Sequence, residues 1–428
     1  MQIAYLTAGA AGMFCGSCMH DNALAKALIK QGVDCTLLPI YTPIRTDEED
    51  VSADRVFFGG VNIFLQQKMP WLKYLPSWMD SVLNRPSLIR RATAGQSKTD
   101  PKFLGKLTVS MLRGLNGNQA KEVRRLCKWL ENDLKPDAFI LSNMLIAGSI
   151  PEIKRRLNKP VFVTLQGDDI FFDFLPEPFR EQALQEMRQI VPLVDRFIVN
   201  SRFYQDRMTQ DLKIPSEKFV ILPLGIDLAD FRQLNAPRPA PVPTIGYLAR
   251  MTKEKGLHVL VDAFIRLSES DEVRDARLLL AGWMGKEHEP YWQQQQEKIR
   301  QAGLQDRVNY LGTVDRKTKI EFLHSIDLLC VPTIYQEPKG LFALESVAAG
   351  IPYLLPTHGA FPELHARLNF GSTFSPSDPS DLDRQLPAAI LESRKSTPQR
   401  WQQRNELLSE IDIATMAERL LRLLAPNR

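Results

Sequence analysis

The chain has few cysteines and no long hydrophobic run. Its five cysteines are an odd number scattered over 428 residues, which argues against the disulfide framework of a secreted protein. No apolar run approaches the length of a membrane-spanning helix, and residues 1–7 lack the basic segment and cleavage site of a signal peptide. We therefore expect a cytoplasmic protein.

The chain also lacks a strong charge of one sign, an internal repeat and a low-complexity tract. The net charge of +4 is too small for this length to indicate a nucleic-acid partner. Apolar residues make up 44% of the sequence and charged residues 24%, as in an ordinary globular protein, and the length suffices for two hydrophobic cores.

Strand-like and helix-like runs alternate along both halves of the chain. This alternation, which begins with the apolar run at residues 3–8, predicts parallel sheets with helices on both faces. Four prolines at alternate positions in residues 235–243 favour an extended connector between two domains. We therefore predict an N-terminal domain over residues 1–236, a C-terminal domain over residues 243–400 and an amphipathic helix in residues 401–428.

Two glutamates eight positions apart, Glu337 and Glu345, bracket Gly340. A strand-like run precedes them and a helix-forming run, residues 341–349, follows. A strand, a glycine-bearing loop and a helix direct backbone N–H groups at a phosphate in many α/β proteins, and a carboxylate in the first helical turns could reach a ribose diol. The alternative is a surface loop with two solvated acids and a proline turn.

Two cations, Arg250 and Lys255, follow the first predicted strand of the C-terminal domain. Arginine grips two phosphate oxygens at once and lysine acts as a point charge, so together they could stabilise a departing diphosphate without a metal. The alternative is a charged turn before a helix, in which Glu254 neutralises a neighbour.

These motifs resemble those of the retaining glycosyltransferases of family 4. The run from Glu337 to Glu345 is similar to the family's E-x(7)-E signature, with Pro338 and Lys339 in place of its Gly-Phe. Residues 349–363 resemble the family's A-x-G-x-P…G-G-x-P-E, with Ala360 in place of one glycine. Arg250 and Lys255 match its G-R-x(4)-K-G pattern.

The resemblance implies an α/β fold of the GT-B type, in which two Rossmann-like doubly wound domains face each other across a cleft. The N-terminal domain would bind the acceptor, the C-terminal domain would bind the nucleotide sugar, and the helix in residues 401–428 would cross back onto the N-terminal domain. No metal and no other cofactor are expected.

The resemblance also implies roles for individual residues. Arg250, Lys255 and Glu337 would be catalytic: the two cations would neutralise the diphosphate, and Glu337 would orient the sugar. Glu345 would hold the ribose. The other candidates for binding the sugar donor are Gly12, Gly246, Thr313, Thr333, Gly340 and Leu341.

Two residues of the N-terminal half are candidates for contacting the acceptor or the sugar. Gln166 stands where many family members have a histidine, and Asp168 follows it closely. A glutamine can form hydrogen bonds but cannot titrate, so a proton-shuttling role at this position is not expected.

A basic segment interrupts the N-terminal domain at residues 67–128. It has 13 basic and 3 acidic residues, a net charge of +10, and it includes aromatic residues. Such a helical insert can lie on an anionic membrane surface, or it can pack over the cleft with a solvated basic face.

Cys15 and Cys18 form a C-x-x-C pair where a helix is predicted to begin. This pair could be a redox site or part of a zinc site with His20, or its small residues could simply shape the first loop.

The sequence thus predicts a retaining, hexosyltransferase-type glycosyltransferase. It would move a sugar from a nucleotide diphosphate to a hydroxyl of a glycan, a lipid-linked acceptor or a small molecule. One alternative is a nucleotide-sugar-binding protein without catalysis, which Gln166 permits. The other is a redox or metal protein that uses Cys15 and Cys18.

Overall fold

The computed structural model describes residues 1–9, 16–53, 56–58, 66–67, 100–237, 239–269, 273–395 and 397–425. Gly12, Cys15 and residues 68–99 of the basic insert lie outside this set. The chain divides into two compact units. The first comprises Met1–Asn200, Tyr204–Leu222 and Ala417–Arg428, and the second comprises Ser201–Phe203 and Pro223–Met416.

The first unit is built on a parallel sheet of six described strands in the order β2-β1-β3-β4-β5-β6. From β1 the chain continues to β2 on one side and later to β3 on the other, so the switch point of the sheet lies between β1 and β3. The strands are β1 Gln2–Thr7, β2 Asp34–Pro39, β3 Ala138–Leu141, β4 Val161–Thr164, β5 Arg196–Val199 and β6 Phe219–Ile221.

The second unit is built on another parallel sheet of six described strands, in the order β12-β11-β10-β7-β8-β9. Read from β9, this is the doubly wound order 3-2-1-4-5-6, with its switch point between β7 and β10. The strands are β7 Thr244–Leu248, β8 Arg277–Ala281, β9 Val308–Tyr310, β10 Leu328–Cys330, β11 Tyr353–Pro356 and β12 Gly371–Phe374.

Helices connect the strands of both sheets. Before β7 the described α-helices are Gly16–Lys30, Pro101–Leu112, Ala120–Trp129, Ile150–Leu157, Asp168–Phe172, Phe179–Ile190 and Arg202–Leu212. After β7 they are Leu257–Leu267, Glu289–Gln301, Arg316–His324, Leu341–Ala349, Phe361–Leu368, Asp381–Ser393, Thr397–Leu407 and Ile413–Leu424.

The central strands are buried almost without interruption, because helices cover both faces of each sheet. Residues 3–7 of β1 and all five residues of β7 are buried, whereas the edge strands β6 and β9 are partly exposed. Continuous apolar runs, rather than alternating ones, are therefore what the sequence shows at these positions.

The C-terminal segment differs from the single helix expected over residues 401–428. Two helices, Thr397–Leu407 and Ile413–Leu424, are separated by a turn and a single bridge residue, Asp412. Ile226, which follows β6, forms two backbone hydrogen bonds with this connection: its N–H donates to Ile411 O at 2.8 Å and its carbonyl accepts from Ile413 N at 2.9 Å. This parallel bridge takes residue 412 out of helical geometry.

Candidate active site

The switch point of the second sheet brings together two loops that are far apart in sequence. β7 and β10 pair directly, with Gly246 opposite Leu329. Because parallel strands end at the same edge of the sheet, the loops that follow them meet there. One loop carries Arg250 and Lys255, and the other leads to Glu337.

Lys255 and Glu337 form an ion pair at this edge, between Lys255 Nζ and Glu337 Oε2. Their side chains are only 12% and 6% exposed. Burial alone would raise the pKa of Glu337, but the charge of Lys255 and its hydrogen bond, with Lys339 nearby, hold that pKa below its usual range. The Tyr335 ring lies 4.9 Å from Lys255 Nζ, within cation–π range.

Gly340 begins the helix Leu341–Ala349 in a left-handed conformation, with φ of 75°. A Cβ there would lie 2.8 Å from Cε1 of Phe361, so both backbone and space favour glycine. The Gly340 N–H faces Glu337 Oε1 at 3.5 Å, the outer limit of a hydrogen bond. The positive end of the helix therefore lies beside the Lys255–Glu337 pair.

Glu345 lies one turn into the same helix and forms a second ion pair. Lys319 Nζ, from the helix Arg316–His324, is 2.6 Å from Glu345 Oε1. Their side chains are 9% and 17% exposed.

Arg250 is partly exposed, and its guanidinium lies 3.4 Å from Glu254. The segment that carries Arg250 is held by the side chain of Tyr247, whose hydroxyl donates to Arg250 O at 3.2 Å and to Lys255 O at 3.3 Å. It is also tied to the neighbouring loop, since Ile334 N donates to Glu254 O at 3.0 Å.

Gly256 lies against the backbone of the other loop. It has φ of 74°, and a Cβ there would overlap Pro332 O. Only glycine satisfies both the backbone angle and the space.

Three polar atoms near this edge have no hydrogen-bond partner among the described residues: Thr252 Oγ1, Thr333 Oγ1 and His358 Nδ1. Thr333 is buried next to the loop of Lys255, and its carbonyl accepts from His358 Nε2 at 2.8 Å. Burial lowers the pKa of His358. His358 therefore presents a neutral ring, with the proton on Nε2 and an acceptor at Nδ1.

Gly246 and Thr313 lie in different surroundings. Gly246 is in the middle of β7, where a Cβ would overlap the side chain of Ile326, so its lack of a side chain serves core packing. Thr313 is exposed after β9, at the edge of the sheet and two strands from β7.

The first unit holds a buried carboxylate, Asp21, at its own switch point. Asp21 accepts hydrogen bonds from Tyr5 Oη at 2.8 Å, Thr7 Oγ1 at 2.7 Å and Gln166 Nε2 at 2.7 Å. Gln166 Nε2 also lies 3.2 Å from Ser142 O. The amide of Gln166 is thus fixed by the protein on its nitrogen side.

Asp168 is buried beside this network and holds two loops. Its carboxylate accepts from Met144 N at 2.6 Å and from Gln166 N at 3.2 Å. Burial raises the pKa of Asp168 to about 7, against the opposing effect of these backbone hydrogen bonds. Burial also raises the pKa of Asp169, which accepts from Tyr204 Oη at 2.8 Å.

The sequence interpretation assigned no role to Asp21, Lys319 or His358. For the first two a signal was available. Asp21 shares a helical stripe with buried Leu24 and Leu28, and Lys319 precedes buried Phe322 by one turn. A charged residue in the apolar register of a helix is such a signal.

Within the described residues no group of three or more His, Cys, Asp and Glu side chains could hold a metal ion. Cys18 is buried, and Thr7 Oγ1 lies 4.0 Å from its sulfur. The described part of the chain also contains no helix long and apolar enough to cross a bilayer.

Two family models match the chain. The model for glycosyl transferases group 1 covers residues 232–407, and the model for Glycosyltransferase Family 4 covers residues 104–230. Together they span both sheets except for β1 and β2. The chain belongs to the family 4 glycosyltransferases.

Individual relatives agree with this assignment. A phosphatidyl-myo-inositol mannosyltransferase from Mycobacterium leprae is 28% identical over 208 residues, which is 47% of this chain and 49% of the relative. The chain matches about half the length of its curated relatives.

Solved structures match the fold over nearly the whole chain. Sucrose-phosphate synthase from Thermosynechococcus elongatus has a TM-score of 0.68 at 17% identity, covering 99% of this chain and 98% of its own. Anabaena HepE in complex with UDP has a TM-score of 0.66 at 16% identity, covering 99% of both chains. The fold is GT-B, as expected from the sequence.

Proposed function

We propose that this protein transfers a sugar from a nucleoside diphosphate donor to an acceptor hydroxyl, with retention of anomeric configuration. The observation that carries the proposal is the buried Lys255–Glu337 ion pair, placed at a switch point and beside the N-terminal end of the helix Leu341–Ala349. A cation, a carboxylate and a helix end together fit a sugar joined to a diphosphate.

The leaving diphosphate gains negative charge as its bond to the sugar breaks. Lys255 and Arg250 would stabilise that charge, together with the N–H groups at Gly340 and Leu341. Glu337 would accept hydrogen bonds from sugar hydroxyls and so orient the ring. The acceptor hydroxyl would attack on the face that the diphosphate leaves and would pass its proton to an oxygen of the leaving phosphate, so no enzymic nucleophile is assigned.

The nucleotide is assigned to the second unit. Glu345 would bind the ribose, and Thr313 would lie near the base. UDP is the first nucleotide to test, because it is bound in the HepE structure. Roles for Gln166 and Asp168 at the acceptor remain predictions.

Peripheral membrane contact through residues 67–128 also remains a prediction, as does a cytoplasmic location. In the described part of this insert, the helices Pro101–Leu112 and Ala120–Trp129 bury their apolar faces within the first unit. Lys102, Lys106 and Arg124 are exposed on their other sides.

The experiment is a transfer assay with labelled UDP-, GDP- and ADP-sugars and a set of hydroxyl acceptors. We expect Lys255→Ala and Glu337→Ala to lower kcat/KM by about 100-fold to 1000-fold, the usual effect of removing one preorganised electrostatic group. Lys253→Ala, at an exposed position of the same turn, is the matched control.

Unchanged turnover in either variant would refute the role given to that residue. Binding of a nucleotide sugar by the wild type without transfer or hydrolysis would instead identify a binding protein without catalysis.

A further inference from the structure

The Lys319–Glu345 pair joins two helices of the second unit. Lys319 is on the helix Arg316–His324 and Glu345 is on the helix Leu341–Ala349, with 2.6 Å between Lys319 Nζ and Glu345 Oε1. The lysine side chain is 9% exposed and the glutamate 17% exposed. Glu345 is thus the partner that lies nearer the surface.

Packing alone does not account for a lysine at position 319. The same face of its helix buries Phe322 and Leu323. A buried ion pair stabilises a fold no better than apolar residues of similar volume, because both charges lose their hydration. An apolar residue at position 319 would therefore serve the core at least as well.

The pair leaves half of the Glu345 carboxylate available. Oε1 accepts from Lys319, whereas Oε2 has no hydrogen-bond partner among the described residues. A carboxylate fixed through one oxygen can offer the other to a ligand in one defined direction, which lowers the entropy lost on binding. Two adjacent hydroxyls are a suitable partner, since each can donate a hydrogen bond to an ionised carboxylate.

We propose that Lys319 is a positioning residue that holds Glu345 for recognition of a ribose diol. This inference rests on the proposed function, and it deepens it: the site would distinguish ribonucleoside diphosphates from analogues that lack the 2′ and 3′ hydroxyls. Lys319 acts through Glu345 and does not itself contact the ribose.

The test compares the affinities of UDP and 2′,3′-dideoxy-UDP, or of the matching ADP or GDP pair if that base binds more tightly, by calorimetry. We expect wild type to prefer the ribonucleotide by at least about tenfold, as charge-assisted hydrogen bonds allow. Lys319→Met should weaken UDP binding and leave the dideoxy affinity unchanged, so that the preference collapses. Glu345→Gln should do the same, and the double variant should add little further loss.

Lys317→Met is the matched control, because Lys317 lies on the same helix at an exposed position. Equal losses of both affinities in Lys319→Met would indicate a merely structural lysine and overturn the inference, as would an unchanged preference. Either result leaves the proposed function standing. If wild type bound none of the three nucleotides, the proposed function would fall and the inference with it.

Discussion

The two units accommodate buried carboxylates in different ways. In the second unit, Glu337 and Glu345 each meet a lysine ammonium. In the first unit, Asp21 is held by hydroxyls and an amide, and Asp168 by backbone N–H groups. In the second unit the carboxylates are paired with positive charges, whereas in the first unit they accept hydrogen bonds from neutral donors.

The pKa values of Glu337 in the second unit and Asp168 in the first unit are therefore shifted in opposite directions. The pKa of Glu337 lies below its usual range, so its carboxylate stays ionised throughout the neutral range. The pKa of Asp168 is raised to about 7, so its protonation changes near neutrality. The charge of Glu337 is thus constant near neutral pH, whereas the charge of Asp168 changes there.

The largest effect that tests this comparison is on the stability of the second unit. Lys255→Met removes the ion-pair partner of the buried Glu337 carboxylate and leaves Lys339 and the Tyr335 hydrogen bond to stabilise its charge, so we expect the free energy of unfolding to fall by up to about 3–5 kcal/mol. The double variant Lys255→Met, Glu337→Gln removes both charges and should recover much of this loss, without recovering transfer activity. Chemical denaturation measures both.

Lys253→Met should be close to wild type, since its side chain is exposed. If the double variant were as unstable as the single one, charge pairing would not be what stabilises this loop.

A smaller effect is expected in the first unit. Asp21→Ala leaves three buried donors, from Tyr5, Thr7 and Gln166, without their shared acceptor, and we expect a loss of about 1–3 kcal/mol. Denaturation of this variant should be compared with that of Asp34→Ala, which alters an exposed aspartate of the same unit. A loss no larger than that of Asp34→Ala would contradict the importance of the network.

The smallest effect is a pH dependence. The folded-state pKa of Asp168, about 7, exceeds its ordinary value of 3.8, so the folded state holds the proton more tightly and its contribution to stability declines as pH rises from about 4 through about 7. Between about pH 6 and about pH 8 we expect a decline of about 1 kcal/mol.

Asp168→Asn should lack this component, which parallel denaturation curves at several pH values would reveal. Identical pH profiles of the two proteins would exclude a raised pKa at this position.

Much of this structure follows from local sequence patterns. Continuous apolar runs predict the central strands, because burial on both faces requires them, and the spacing of Glu337, Gly340 and Glu345 predicts the loop and helix that hold them. The ion pairs do not follow from local patterns. Lys255 pairs across 82 residues with Glu337, and Asp21 bonds across 145 residues with Gln166.

Such partners meet only because of strand order. β7 has β8, the next strand in sequence, on one side and β10 on the other. No local pattern in a single sequence encodes the pairing of β7 with β10. The Lys319–Glu345 pair also joins two different helices, 26 residues apart in sequence, so the charged residue at position 319 can be noticed in the sequence but its partner cannot be named.

The contact at Gly256 has a practical consequence for redesign. Because its backbone lies against Pro332 O with no room for a side chain, the segments bearing Lys255 and Thr333 are locked in register. Libraries of variants should therefore leave this junction unchanged. Thr313 is exposed at the end of a strand two places from β7, so positions around it can be varied without disturbing this contact.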